Sequence, residues 1–117
     1  MPASTPVALA SPARTIEGIL RAAEVSDATW GARTAVNLPA LRTTVGEMAA
    51  ALEKVAGPQA TALLDWQIDP PTQKLVGSWP SQVDAARARA MGLQPDTSFE
   101  DIVRGYMAGN PGAVTLV

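Results

Sequence analysis

The chain has 117 residues, enough for one domain, and much of its 47% hydrophobic fraction is alanine. Its formal net charge of −2 lacks the excess of cations with which proteins displace counterions from nucleic acid, so nucleic-acid binding is disfavoured. Because Cys and His are both absent, the sequence excludes disulfides, thiolate nucleophiles, Ser-His-Asp triads and metal sites built on His or Cys.

The first predicted elements are a strand and a helix. Val7–Ala10 is a short apolar run typical of a strand. Ser11 and Pro12 follow as the N-cap and first residue of a helix that runs to about Glu24. Four apolar residues at spacings of three and four predict that this helix buries one face: Ile16, Ile19, Leu20 and Ala23.

A second strand and a second helix are predicted next. Ala35–Leu38 is the strand candidate. Thr44 and Glu47 have the spacing of a capping box, which opens a helix that stops at Gly57. The apolar residues of this helix share one face: Val45, Met48, Ala49, Leu52 and Val55.

The middle of the chain predicts shorter elements. Pro58–Leu64 indicates a short helix with Pro at its first position. Asp65–Asp69 alternates polar and apolar residues and predicts a half-exposed strand. Thr72–Pro80 fits no single pattern and is left unassigned.

Two further helices are predicted near the end. Asp84–Met91 is rich in Ala and Arg, and Gly92 follows it in the C′ position. Ser98 and Asp101 form a weaker capping-box pattern that opens the last helix, which ends before Gly109. Its apolar residues are Phe99, Ile102, Val103 and Tyr106.

The order of elements predicts a mixed α+β (α/β) fold with three to four main helices and a few short strands. Residues 1–6 are small and Pro-rich, so we expect a flexible lead-in, a domain over residues 7–108 and a tail at 109–117.

Recognisable catalytic motifs are absent from the sequence. It has no glycine-rich phosphate cradle, and its one tyrosine, Tyr106, has Asn110 where a Tyr-x-x-x-Lys pair needs lysine. We therefore predict no catalytic, cofactor-binding or metal-binding residue.

A ligand site, where one exists, is predicted in the loops around Ser11, Arg14, Arg42 and Trp79. Both arginines stand near strand-to-helix junctions, where ligand-binding loops collect. Serine and arginine hold hydroxyl and carboxylate groups, and Trp79 offers a flat wall to the carbon face of a sugar. The alternative for Trp79 is ordinary packing beneath a loop.

Four segments carry a resemblance to a known family: residues 7–23, 35–52, 75–80 and 84–107. The most specific is the last, DAARARAMGLQPDTSFEDIVRGYM, with its Asp-x-x-Arg helix, Leu-Gly-type turn and Phe-x-Asp helix. The chain resembles the C-terminal part of the extended short-chain dehydrogenase/reductases, the NAD-dependent epimerase/dehydratase family. The motifs ASP, VNLP, TVGEM and GSWP are similar to its D-erythronate dehydrogenase-like branch.

This resemblance implies a partial Rossmann-type C-terminal lobe that adds a late strand, around Val36, to the sheet. In the family, the glycine-rich turn and the catalytic Ser/Thr, Tyr and Lys lie in the N-terminal nucleotide-binding half. NAD is therefore implied for a full-length protein. For this chain alone we expect no cofactor and no enzymatic activity.

Three functional hypotheses follow. In the first, the chain is the substrate-binding portion of an NAD-dependent epimerase or sugar-acid dehydrogenase, bound to a nucleotide-binding partner half. In the second, it is a truncated, stand-alone module that oligomerises or binds a small hydroxy acid or sugar. In the third, it is a small structural domain with an unrelated role. Exposed strand edges favour a homo-oligomer.

The absence of long apolar runs and of a signal-peptide pattern predicts a cytoplasmic protein without membrane contact.

Overall fold

The structure is a computed structural model that describes residues 1–32 and 35–113. In these ranges the chain forms a two-stranded sheet and seven helices, which confirms the predicted mixed α+β class. In chain order they are β1 (Pro6–Leu9), α1 (Pro12–Glu24), α2 (Asp27–Trp30), β2 (Leu41–Thr44), α3 (Val45–Ala56), α4 (Pro58–Thr61), α5 (Pro70–Gly77), α6 (Ala86–Ala90) and α7 (Phe99–Gly109).

The sheet pairs β1, the strand before α1, with β2, the strand before α3. β1 and β2 are antiparallel, with Pro6 opposite Thr44 and Leu9 opposite Leu41. The pairing continues beyond β1, because the Val45 N–H donates to the Thr5 carbonyl at 3.0 Å and the Gly46 N–H donates to Ala3 at 2.7 Å. Residues 3–5 are therefore hydrogen-bonded to the start of α3. The flexibility expected of residues 1–6 stays a prediction.

Two predicted strands are wrong. Ala35–Leu38 and Asp65–Asp69 are not strands in the described chain, and the partner of β1 lies downstream at Leu41–Thr44. A strand requires a neighbour for its backbone groups, and the sequence pattern does not supply one. Val36 and Leu38 pack instead against the small buried cluster of Ala85, Ala88 and Leu93.

The predicted helix starts are confirmed at α1 and α3. The Ser11 hydroxyl accepts from the Arg14 N–H at 3.2 Å, with Pro12 in the first turn. At α3 the capping box is complete: the Thr44 hydroxyl accepts from the Glu47 N–H at 3.2 Å, and the Glu47 carboxylate accepts from the Thr44 N–H at 2.9 Å. These bonds satisfy backbone donors that a helix start leaves free.

Ser98 makes only half of the predicted capping box. Its hydroxyl accepts from the Asp101 N–H at 3.2 Å, but the Asp101 carboxylate pairs with Arg104 at 3.0 Å instead of returning to the cap. α7 also includes Gly109, one residue further than predicted. The last four residues of the predicted tail lie outside the described residues.

The remaining helices differ in extent from the predictions. α4 stops at Thr61 instead of Leu64, and α6 is shorter than the predicted Asp84–Met91. Gly92 follows α6 at a φ of 91°, a backbone conformation suited to glycine. α5 begins at Pro70, two residues before the unassigned segment, and extends into it to Gly77; the Asp69 side chain caps the helix by accepting from the Thr72 N–H at 3.2 Å. No helix in the described ranges is long and apolar enough to cross a membrane.

Candidate functional site

Ser11, the first predicted site residue, is buried, and both its N–H and its hydroxyl are hydrogen-bonded. Its N–H donates to Asp96 Oδ2 at 2.7 Å and its hydroxyl donates to Asp96 Oδ1 at 2.6 Å. The same hydroxyl caps α1 through the Arg14 N–H. Ser11 therefore connects the start of α1 to the loop before α7, and it holds Arg14 one turn into the helix.

The other three predicted residues lie on separate elements. Arg14 pairs with Glu17, Nη1 to Oε2 at 2.7 Å, on the surface of α1. Arg42 is exposed on β2 opposite Ala8. Trp79 lies after α5 with 59% of its surface exposed, and its backbone N–H donates to the Val76 carbonyl at 3.1 Å. The structure brings Ser11 and Arg14 together, and it leaves the substrate-binding role of all four residues a prediction.

An apolar groove of about 540 Å³ lies between α3 and α7. The apolar faces predicted for these two helices supply most of its walls, and Met1 and residues 64–66 complete it. The lining residues are Met1, Val45, Met48, Ala49, Leu52, Leu64, Asp65, Trp66, Phe99, Ile102, Val103 and Tyr106.

The chemistry of the groove is that of binding. Asp65 is its one acidic side chain and the lining has no Lys or Arg, so it favours uncharged apolar groups. In residues 1–32 and 35–113 no group of three or more acidic residues is placed to hold a metal ion. The sequence predicted the two helical faces but missed the groove, because nothing local specifies which distant helices pair.

One ion pair connects α3 with α7, and a second pair within α7 shares its glutamate. Lys54 Nζ lies 2.9 Å from Glu100 Oε1, and Arg104 pairs with Glu100 at 3.4 Å. The hydrogen bond from Lys54 holds the pKa of Glu100 below its ordinary value, with smaller contributions from the positive charges of Lys54 and Arg104. The pairs are on the surface, so salt screens them.

The predicted burial of the α1 apolar face is wrong for the described chain. Ile16 is 57% exposed, Ile19 66% and Leu20 60%. Only Gly18 of this helix is buried, and a Cβ there would lie 2.5 Å from Leu38 Cδ2. The rest of the described chain thus leaves the apolar residues Ile16, Ile19 and Leu20 of α1 largely uncovered.

Contacts near its C-terminal end hold α1 to α2 and to the end of α6. Arg21 Nε donates to the Met91 carbonyl at 3.1 Å, and Trp30 Nε1 donates to Ala22 at 3.1 Å. The Arg87 guanidinium lies 5.7 Å from the centroid of the Trp30 ring and also donates to the Trp30 carbonyl. These contacts hold α1 in place, and its exposed apolar face therefore has a defined position in the fold.

The fold matches one part of a longer protein of known structure. A solved structure, the nucleoside-diphosphate-sugar epimerase from Agrobacterium tumefaciens, matches it with a TM-score of 0.90 at 30% sequence identity. The match covers 97% of this chain and 33% of the epimerase. The partial Rossmann-type lobe implied by the sequence resemblance is confirmed as the fold of one part of such a protein.

Two curated relatives carry the same name. A D-erythronate dehydrogenase from Cupriavidus necator is 36% identical over 103 residues, 88% of this chain and 32% of the relative. A D-erythronate dehydrogenase from Haemophilus influenzae is 25% identical over 99 residues, 85% of this chain and 31% of the relative. No family model matches the chain. The predicted resemblance is confirmed: the chain matches a partial region of dehydrogenase- and epimerase-like proteins and spans about a third of its relatives' length.

Proposed function

We propose that the chain is the substrate-binding portion of an NAD-dependent dehydrogenase for a small polyhydroxylated acid. The observation that carries the proposal is the fold: nearly the whole chain superimposes on one third of a longer epimerase. The identity with relatives named for a sugar-acid dehydrogenase favours the acid over a nucleotide sugar as substrate.

In this proposal the nucleotide-binding portion supplies NAD and the catalytic residues. This chain contains neither a glycine-rich phosphate cradle nor a Tyr-x-x-x-Lys pair. Its contribution is to bind and orient the substrate. Arg14 and Arg42 offer guanidinium groups to a carboxylate, Trp79 offers a flat face to the carbon skeleton, and Ser11 fixes the start of the helix that carries Arg14.

The surface area of the chain supports a partner. The accessible surface is 7937 Å², whereas a folded monomer of this mass exposes about 6,000 Å². The difference of about 1,900 Å² exceeds what one partner contributes to an ordinary protein interface. The exposed apolar residues of α1 lie on this uncovered surface, where we place the contact with the nucleotide-binding portion.

A chimera tests the proposal. This chain replaces the matching third of the Cupriavidus necator D-erythronate dehydrogenase, and NADH formation with D-erythronate is measured. We expect activity in the chimera and none in the relative that lacks this third. Arg14→Ala and Arg42→Ala in the chimera are expected to raise KM more than they lower kcat, because both act on substrate binding. An inactive chimera that is folded and binds NAD would contradict the proposal.

The isolated chain gives a second measurement. Because the phosphate cradle is missing, we expect no saturable binding of NADH to the purified 117-residue chain. Isothermal titration calorimetry checks this expectation. A stoichiometric titration with submillimolar affinity would show that the chain holds the cofactor without another portion.

The alternative function is a stand-alone module that oligomerises or binds a small apolar ligand. The groove between α3 and α7 favours it, because its volume of about 540 Å³ is that of a small-molecule site. This alternative predicts an inactive chimera together with a stable, ligand-binding form of the isolated chain.

A further inference from the structure

Residues 65–69 carry the sequence pattern of a strand but have no strand partner in the described chain. Trp66 and Ile68 alternate with polar residues, yet the segment is exposed and is not part of the β1–β2 sheet. Its neighbour Leu64 and its own Trp66 line the apolar groove. A backbone edge with unused hydrogen-bonding capacity therefore lies beside an uncovered apolar surface.

Met1 lies at this edge. Its nitrogen donates to the Gln67 carbonyl at 3.1 Å, and its side chain contributes to the groove. The bond needs only a nitrogen-bound hydrogen, so a peptide N–H at the same position makes it equally well. Any polypeptide joined to Met1 therefore begins beside Gln67, at the edge of the groove.

We propose that the segment directly preceding this region in the longer dehydrogenases docks as an extended strand on residues 65–68 and closes the groove with its apolar side chains. The proposal rests on the proposed function, because it takes its occupant from the two thirds of the relatives that this chain does not span. The mode is strand addition: main-chain hydrogen bonds give affinity, and alternate side chains fill the pocket.

The groove favours this occupant by its chemistry. Among its lining side chains Asp65 alone is charged and it is exposed, so the groove fits an uncharged apolar segment. The occupant also arrives already tethered at Met1, which raises its effective concentration at the groove over that of a free peptide or a second copy.

The test extends the chain. About 15 residues, enough for one strand and its connection, are taken from immediately before the matched region of the Cupriavidus necator relative and fused ahead of Met1. Hydrogen–deuterium exchange then compares the amides of residues 64–68 in the extended and unextended chains. We expect exchange at least about tenfold slower in the extended chain, as for a newly hydrogen-bonded strand.

Two neighbouring leucines supply matched variants. Leu64 lines the groove at 41% exposure, whereas Leu63 is 81% exposed and is not part of the lining. In the extended chain, Leu64→Ser is expected to abolish most of the protection and Leu63→Ser to leave it unchanged. Both sites are accessible in the unextended chain, so neither change removes a core residue, and circular dichroism verifies that both variants fold.

Three outcomes would overturn the proposal. They are unchanged exchange at residues 64–68, equal protection by an extension of scrambled sequence, and protection in the unextended chain that grows with concentration as a dimer forms. The last would assign the groove to a second copy. Exchange is measured without NAD or substrate, so a failed extension with an active chimera rejects only this docking surface, and protection with an inactive chimera rejects only the proposed function.

Discussion

At the scale of single residues, Ser11 shows how a side chain in a candidate site can be explained by structure. Its N–H and hydroxyl both donate to the half-buried Asp96 carboxylate while the hydroxyl caps α1. Hydrogen bonds to an ionised group contribute more than neutral ones, and the cap adds to them. These three bonds explain Ser11 by its contribution to stability, whether or not a substrate lies nearby.

Replacing Ser11 by alanine is therefore expected to cost about 2–3 kcal/mol of unfolding free energy, from the lost cap and the lost bond to a carboxylate. Urea denaturation measures this cost. Ser26→Ala is the matched control, because Ser26 caps the four-residue helix α2 and is exposed. We expect it to cost at most about 1 kcal/mol. Equal costs for the two variants would show that Asp96 contributes nothing through Ser11.

Glu47 makes stability depend on pH at the start of α3. The hydrogen bond from the Thr43 hydroxyl, followed by that from the Thr44 N–H, lowers its pKa below the ordinary 4.5. A lowered pKa means that folding favours the charged form. The stabilisation is thus complete above pH 4.5 and is lost as the pH falls through the folded-state pKa.

The measurement compares the melting temperature of the protein with that of Glu47→Gln between pH 7 and pH 3. Glutamine keeps the shape of the cap and does not titrate, so the difference between the two proteins is expected to shrink below pH 4.5. The comparison isolates Glu47 from Asp69 and Glu100, whose pKa values are also lowered by hydrogen bonds. A difference that stays constant across this range would contradict the assignment.

At the scale of elements, the features that could be predicted are local. The caps at Ser11 and Thr44 and the stop at Gly57 depend on a few neighbouring residues, and all three are found where the sequence places them. The apolar faces of α3 and α7 could also be predicted, because helical spacing determines them. The groove that these two faces form could not be predicted, because it requires contacts between residues about 50 positions apart.

The elements that were predicted wrongly depend on a neighbour. Ala35–Leu38 and Asp65–Asp69 have strand patterns, but a pattern does not provide the partner backbone that makes a strand. The apolar face of α1 has the spacing of a buried face and is exposed for the same reason. Unpaired strand patterns and an uncovered helix face are typical of one part of a larger protein. The chain is similar to about one third of the longer proteins that it matches.

This interpretation of α1 predicts unequal costs for equivalent substitutions. In the isolated chain, at a dilution where it is monomeric, Ile19→Ala is expected to change the unfolding free energy by no more than about 0.5 kcal/mol. Leu93→Ala is expected to cost about 2–5 kcal/mol, because Leu93 is 3% exposed in the small core. In the chimera, Ile19→Ala is expected to become clearly destabilising. Identical costs in both backgrounds would show that no partner covers α1.

At the scale of the whole molecule, the chain is thin and open. Its principal extents are 52, 35 and 18 Å and its radius of gyration is 16.8 Å, whereas a compact domain of this length has a radius of about 13 Å. The buried cluster consists of Ala85, Ala88 and Leu93. Such a core is small for 117 residues, so stability and solubility both depend on what covers the remaining apolar surface.

Self-association of the isolated chain follows from this shape. Without a nucleotide-binding portion, the exposed α1 face is expected to bury itself against a second copy, so light scattering should show dimers or larger species as the concentration rises. Ile19→Asp places a charge within that face and is expected to shift the equilibrium to the monomer. Leu63→Asp, at a more exposed position that does not belong to α1, should not. We expect the nucleotide-binding portion to cover the same face in the chimera, so Ile19→Asp should there disrupt the attachment of this portion and not an oligomer. A wild-type chain that stays monomeric at high concentration would mean that the α1 face is stable in water, and the case for a covering partner would then rest on the fold alone.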